Sequence, residues 1–184
     1  MTASHRMGLP GEPAGEALID RVLRVDHAGE YGAVRIYEGQ LAVLGKNSEA
    51  GKAVAHMAEQ ERAHLAAFEK LLPERRARPT VLQPFWHVAG FALGAATAML
   101  GEKAAMACTV AVEEVIDEHY REQIAALPDD EGGLKDTLEK FRQEEVEHKN
   151  EALDRGAEQA PGYEPLAAAI KAGSRLAIWL SSRI

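Results

Sequence analysis

The chain is poor in the residues that would point away from a helical intracellular fold. It has one cysteine, Cys108, so no internal disulfide can form and a reducing compartment is expected. Eight prolines and sixteen glycines in 184 residues are too few for a linker-dominated or collagenous chain. Aromatic residues make up only 5%, and no stretch of useful length alternates with period two, which speaks against a β-sandwich. The N-terminus has no apolar core of the kind a secretory signal needs, so none is expected. Positive charge is also short: the net charge of -8 argues against a nucleic-acid binder.

What is present is a single domain's worth of chain, 46% apolar and 27% charged. Apolar spacing predicts a helix over about Glu16–Leu44 and a second, capped by Ser48, ending at Leu72 before Pro73. A loop bounded by Pro79 and Pro84 leads into an apolar helix over 85–100. Further helices are predicted over Glu102–Leu127 and Leu134–Gln159, separated by a turn at Pro128–Gly133, with a last one starting near Pro165. Four long helices with one long connection predict an all-α bundle with a crossover.

Charge is unevenly spread. Pro79–Gly101 carries no formal charge with His87 neutral, and Arg75, Arg76 and Arg78 precede it. Its length approaches the roughly 20 residues of a bilayer span, but Pro84 interrupts it, and Gly90 and Gly94 dilute its hydrophobicity. Two readings stand: a buried crossover helix, or a helix lying in a membrane interface with arginines toward anionic headgroups. Residues 165–184 contain Lys171, Arg175 and Arg183 and no acid, alongside Leu176, Ile178, Trp179, Leu180 and Ile184. That composition favours the interfacial reading.

The chemistry lies in a repeat. Glu61 with His64 and Glu145 with His148 form two Glu-x-x-His pairs, each on one face of a helix. With 22 Glu and 7 His, an isolated pair means little. However, Glu30 precedes Glu61 by 31 residues and Glu113 precedes Glu145 by 32. Two copies of Glu followed by Glu-x-x-His, on four helices, match the ligand set of carboxylate-bridged dimetal bundles.

Helical faces support these six. Glu145 shares a stripe with Leu138, Phe141, His148 and Ala152, whereas Glu144 and Glu147 fall with Thr137, Lys140 and Glu151 on an outward face. Glu61 lies with Val54, Met57, Ala58 and Phe68, and Glu30 with Leu23, Val34 and Tyr37. Glu113 lies with Met106, Val110, Ile116 and Tyr120, and its neighbour Glu114 is the weaker candidate. Burying four unpaired carboxylates would cost several kcal/mol each, and two metal ions would offset it. Carboxylates with one imidazole per metal suit iron or manganese better than zinc or copper. Asp26, Asp117 and Arg142 are expected to hold the imidazoles from behind. His27, His56, His87 and His119 have no partner in the repeat, and Cys108 is expected in the core. No dinucleotide or P-loop fingerprint occurs.

The strings DHAGEYGAVRIYEGQLAVLG, EQERAHL, RPTVLQPFWHVAGFALGAATAMLGEKAAMACTVAVEE and EEVEHK resemble those of the demethoxyubiquinone hydroxylase family of ubiquinone biosynthesis. The likeness runs from about Asp20 to Ile184, leaving the segment before it unmatched and expected to be flexible. It implies a ferritin-like fold in a single domain and a centre of two iron ions. The metal ligands fall on Glu30, Glu61, His64, Glu113, Glu145 and His148. It also implies hydroxylation of a demethoxyubiquinol ring with molecular oxygen by a monooxygenase. Glu61 and Glu145 would bridge, and Glu30 and Glu113 would be terminal. NADH is the implied electron source. The quinone ring itself is one candidate relay; Tyr120 and His119, next to the metal helix, are others by position, with ordinary packing as their alternative role. The implied partners are a polyprenyl quinone, oxygen, a membrane surface and a lipid-binding accessory protein, and a homo-oligomer is compatible with them. The expected location is the cytoplasmic face of a bacterial inner membrane, with the inner mitochondrial membrane as the other. Two rival readings are a soluble ferritin-like ferroxidase or peroxidase, and a non-enzymatic lipid-binding module whose glutamates face solvent.

Overall fold

The computed structural model describes residues 15–184. Among these residues there are six α-helices and no strand: α1 Glu16–Leu44, α2 Glu49–Glu74, α3 Gln83–Met99, α4 Glu102–Ala126, α5 Gly132–Asp154 and α6 Tyr163–Ser181. The all-α expectation holds. Of the segment before Asp20, residues 1–14 lie outside the described part. Glu16–Ile19 form the first turn of α1, where Leu18 and Ile19 pack against the Phe68, Leu72 and Leu138 cluster.

The helix boundaries follow local chemistry. Ser48 caps α2, its hydroxyl accepting from the Gly51 N–H at 2.9 Å. This helix runs through Pro73 rather than stopping before it. A proline in the last turn loses a single amide bond, and the chain closes beyond it with a double C-terminal cap. Arg76 takes a left-handed φ of 56°, the Ala77 N–H reaches the Leu72 carbonyl and the Arg76 N–H reaches that of Pro73. At the other end of the chain, α5 stops at Asp154, short of the expected Gln159. Gly156 turns left-handed at φ 82°, and Ala157–Gln159 form a separate 3-10 turn. The last helix begins at Tyr163, two residues ahead of Pro165.

The helices form two three-helix units. In each, a long antiparallel hairpin (α1/α2, then α4/α5) is followed by a shorter helix lying on the first member of its hairpin: α3 on α1, α6 on α4. α1 and α4 are therefore the middle layer, with α2 and α5 on one side and α3 and α6 on the other. Cys108, Ala111 and Val112 of α4 meet Ala167 and Ile170 of α6, with Ile36 and Leu93 at the edge. The indole N–H of Trp86 donates to the Ser181 hydroxyl at 3.0 Å, tying the start of α3 to the end of α6.

Glycine lets α3 lie close on α1. A Cβ placed on Gly94 would stand 1.9 Å from the Ile36 carbonyl oxygen, and one on Gly39 would stand 2.2 Å from that of Phe91. The glycines that lower the hydropathy of this stretch are thus its packing surface. The expectation of a buried crossover is only half met. One face of α3 is covered, while Phe85 is 61% exposed and Val81, Val88, Met99 and Leu100 also stand open. On α6, Leu176 and Trp179 are likewise exposed. No described helix is long and apolar enough to cross a membrane.

Because the obstacle at Gly94 is backbone, a side chain there cannot be accommodated by rotation. Gly94→Ala is expected to lower stability by about 1–3 kcal/mol. Gly29→Ala, on the same α1 with open space around its Cβ, should stabilise by roughly 0.5–1 kcal/mol. Thermal melts of the two variants check the contrast.

Candidate metal centre

Each of the four long helices brings glutamate to the middle of the bundle. Glu30 comes from α1, Glu61 and His64 from α2, Glu113 from α4, and Glu145 and His148 from α5; all six are buried. They form two overlapping sets. Glu30, Glu61, His64 and Glu145 each offer a ligand atom within 4.8 Å of the others, and so do Glu61, Glu113, Glu145 and His148. Glu61 and Glu145 belong to both. Glu114, one residue from Glu113, instead turns outward and pairs with Lys171 of α6.

Both imidazoles present Nδ1 to the acid. His64 Nδ1 lies 3.1 Å from Glu145 and 3.4 Å from Glu30, and His148 Nδ1 lies 3.0 Å from Glu145 and 3.2 Å from Glu61. Their Nε2 atoms face away, toward Glu144 at 2.6 Å and the Gln60 side-chain oxygen at 3.1 Å. Glu144 and Gln60 therefore take the place expected for Asp26, Asp117 and Arg142. Asp26 accepts from Gln123 at 2.7 Å, and Asp117 accepts from Arg142 at 2.8 Å, both away from the imidazoles. Periodicity puts Glu144 on an outward face, yet its side chain is 26% exposed and turns back to His64. A long flexible carboxylate can do this where a short side chain cannot.

The tyrosines were missed as a pair. Tyr37 donates to Glu113 at 2.7 Å, and Tyr120 donates to Glu30. Each follows a glutamate by seven residues, two helical turns, and each reaches the glutamate of the other unit. The same repeat that marks the glutamates carries this signal, Tyr37 standing to Glu30 as Tyr120 does to Glu113. Aromatic packing encloses the centre: His64 stacks on Phe141 at 4.1 Å between centroids, and Phe68 meets Phe141 edge-on. Of the remaining histidines, His27 is buried, His56 is exposed and His87 Nδ1 pairs with the Tyr31 hydroxyl at 2.6 Å. His119 is pulled down to about 4 by burial, with Arg21 adding to the effect. Cys108 is a core residue, its thiol pushed up to about 12 by burial.

Electrostatics show why this arrangement needs cations. Burial, then the charge of Glu61, raises Glu30 from the usual carboxylate range to about 7. Burial, then Glu145 and Glu61, raises Glu113 strongly. Burial opposes a charged His148, but the hydrogen bond to Glu145 and the facing carboxylate of Glu61 outweigh it and lift the imidazole to about 11. His64 shifts upward by the same contest, against Glu145, Glu30 and Glu61. Several atoms have no hydrogen-bond partner at all: Glu30 Oε2, both oxygens of Glu61, His64 Nδ1, Glu113 Oε2 and Glu145 Oε1. Buried, unpartnered and converging, these are the atoms two metal ions would take up. The donor set, hard oxygen with one imidazole per set, fits a pair of first-row divalent ions.

The family model of the ubiquinone biosynthesis protein COQ7 matches residues 17–181. The chain belongs to the COQ7 family. It is 61% identical over 183 residues to a 3-demethoxyubiquinol 3-hydroxylase of Rhodospirillum rubrum, covering 100% of this chain and 85% of the relative. A human relative named NADPH-dependent 3-demethoxyubiquinone 3-hydroxylase, mitochondrial, is 51% identical over 96% of this chain and 83% of its own length. A yeast relative from Saccharomyces cerevisiae, named 5-demethoxyubiquinone hydroxylase, mitochondrial, is 40% identical over 93% of this chain and 80% of its own. Membership of the COQ7 family agrees with the resemblance drawn from the sequence strings.

The shifts set a pH dependence for the metal-free protein. Glu30 has its folded value raised from 4.5 to about 7, so the folded state holds the proton more tightly than the unfolded chain. Its contribution is complete below about 4.5 and is lost as pH rises through about 7. Chelator-treated protein should therefore melt at lower temperature at pH 8 than at pH 5. Glu30→Gln should flatten that fall by at most about 3 kcal/mol. Melts of both proteins across this range provide the check.

Proposed function

We propose that this chain hydroxylates the ring of a demethoxyubiquinol with molecular oxygen, at a two-iron centre held against a membrane surface. The observation that carries the reading is the pair of overlapping Glu/His sets whose buried ligand atoms lack partners. Family membership and the names of the relatives supply the substrate class.

In this reading Glu30, Glu61, His64 and Glu145 hold one iron, and Glu61, Glu113, Glu145 and His148 hold the other. Glu61 and Glu145, common to both sets, would serve both irons. Bound ferrous iron supplies the electrons and the site for activating oxygen. The chain's own residues do the rest. Tyr37 and Tyr120 hold one oxygen of Glu113 and Glu30, leaving the second oxygen of each unbonded. A terminal carboxylate tethered at one oxygen keeps its place while its other oxygen can change partners. Phe68, Phe141 and the surrounding aliphatic residues exclude water, which strengthens each charge interaction inside.

The reductant is assigned to the pyridine nucleotides. The resemblance implies NADH, and several eukaryotic relatives, those of Dictyostelium discoideum and human among them, are named for NADPH. The membrane surface is assigned to the open face of α3 with the end of α6. Their exposed apolar side chains, and Arg183 lying over the Trp179 ring at 4.1 Å, suit an interface where lipid meets anionic headgroups. A polyprenyl tail could remain in lipid while the ring enters the bundle. The rival reading of a lipid-binding module with solvent-facing glutamates fails, because Glu145 is 0% exposed and the other three are nearly so.

Two experiments separate this reading from a soluble ferroxidase. Glu145→Ala should abolish iron loading and hydroxylation together, with helix content by circular dichroism retained; activity surviving the substitution would refute the assignment. In flotation with vesicles containing anionic lipid, the wild-type chain should rise with the lipid. Phe85→Ser with Trp179→Ser should leave most of it behind, and a wild-type chain that stays in the aqueous layer would favour the ferroxidase.

A further inference from the structure

The two imidazoles are held from behind by unlike groups. His64 Nε2 meets the Glu144 carboxylate at 2.6 Å, and His148 Nε2 meets the neutral amide of Gln60 at 3.1 Å. Gln60 directly precedes Glu61, and Glu144 directly precedes Glu145. They hold equivalent places in the two three-helix units, and each reaches across to the histidine of the other unit. Elsewhere the two sets are matched. Glu61 and Glu145 count in both, and Glu30 and Glu113 are the same residue type, each receiving one tyrosine hydroxyl. Among the side chains hydrogen-bonded to the six residues from outside, this pair of positions carries the charge difference.

We propose that Glu144 and Gln60 are positioning residues that make the two metal positions unequal, the position completed by His64 holding its divalent cation more tightly than the one completed by His148. The inference rests on the dimetal reading above. In both cases an acceptor on Nε2 fixes the proton there and leaves the Nδ1 lone pair for the metal. A carboxylate does more than an amide: it strengthens donation from the ring and adds a negative charge near the cation. Glu144 is only 26% exposed, so that charge is partly shielded from solvent. Lys140, 3.8 Å from its other oxygen, is 69% exposed and screened by water, so it offsets little.

The test is anaerobic calorimetric titration of ferrous ion into the full chain after chelator treatment. The wild type should show two steps separated by about tenfold or more, the range in which such outer partners act. Glu144→Gln keeps the size and an acceptor oxygen, and should weaken the tighter step about tenfold so that the steps merge. Gln60→Glu should tighten the weaker step toward the first. A merely structural role would let either substitution weaken binding but would not let Gln60→Glu tighten it. Circular dichroism confirms that each variant is folded. Indistinguishable steps in the wild type, a ratio unchanged by both substitutions, or weakening by Gln60→Glu would overturn the inference alone. A chain that takes up no iron would overturn the dimetal reading, and this inference with it.

Discussion

Four carboxylates are gathered where, among the described residues, no lysine or arginine reaches them and only two imidazoles do. Arg142, the arginine nearest by sequence pattern, is occupied by Asp117 and Glu139. The cost of leaving such charge unpaired in a dry interior is several kcal/mol per group, comparable in sum to the whole stability of a domain. Much of the interior answers to this constraint. Tyrosines supply hydroxyl donors, the imidazoles turn Nδ1 inward, and two carboxyl groups rise toward neutrality. The same demand leaves a cluster that could hold cations of the right size and hardness.

The response is organised as a repeat that closes on itself. Each unit supplies a glutamate, a Glu-x-x-His pair and a tyrosine, and the supporting contacts cross. Tyr37 serves Glu113, Tyr120 serves Glu30, Gln60 serves His148 and Glu144 serves His64. Neither hairpin completes a metal set by itself, since each set borrows a glutamate from the other. Holding the units together and assembling the centre are therefore one event.

Much of this was legible in the sequence, because periodicity and repeat spacing report on backbone geometry. The span Glu16–Leu44 is found as expected, and the six residues of the centre converge. What escaped depended on side-chain reach. Glu144 sits on an outward face by helical angle, but its length lets it bend inward. Asp26 and Asp117 looked suitable as partners of the imidazoles and are committed to Gln123 and to arginine. Helix ends were also less legible. A proline in a last turn is tolerated in α2, and Gly156 ends α5 early by a left-handed turn that a tally of apolar residues does not register. For Gly90 and Gly94, low hydropathy hid their use, since a close helix contact appears in sequence only as missing bulk.

That close contact has a metric meaning. Helices in contact lie about 8–10 Å apart, and α3 touches α1 backbone to backbone through glycine, at the near end of such separations. Glu30 projects from the other side of α1. If α3 rests on lipid, its glycines act as a gauge block, setting how far the buried Glu/His cluster stands off the bilayer. A quinone ring would then climb little more than one helix thickness, a distance short enough for its own tail to remain anchored throughout.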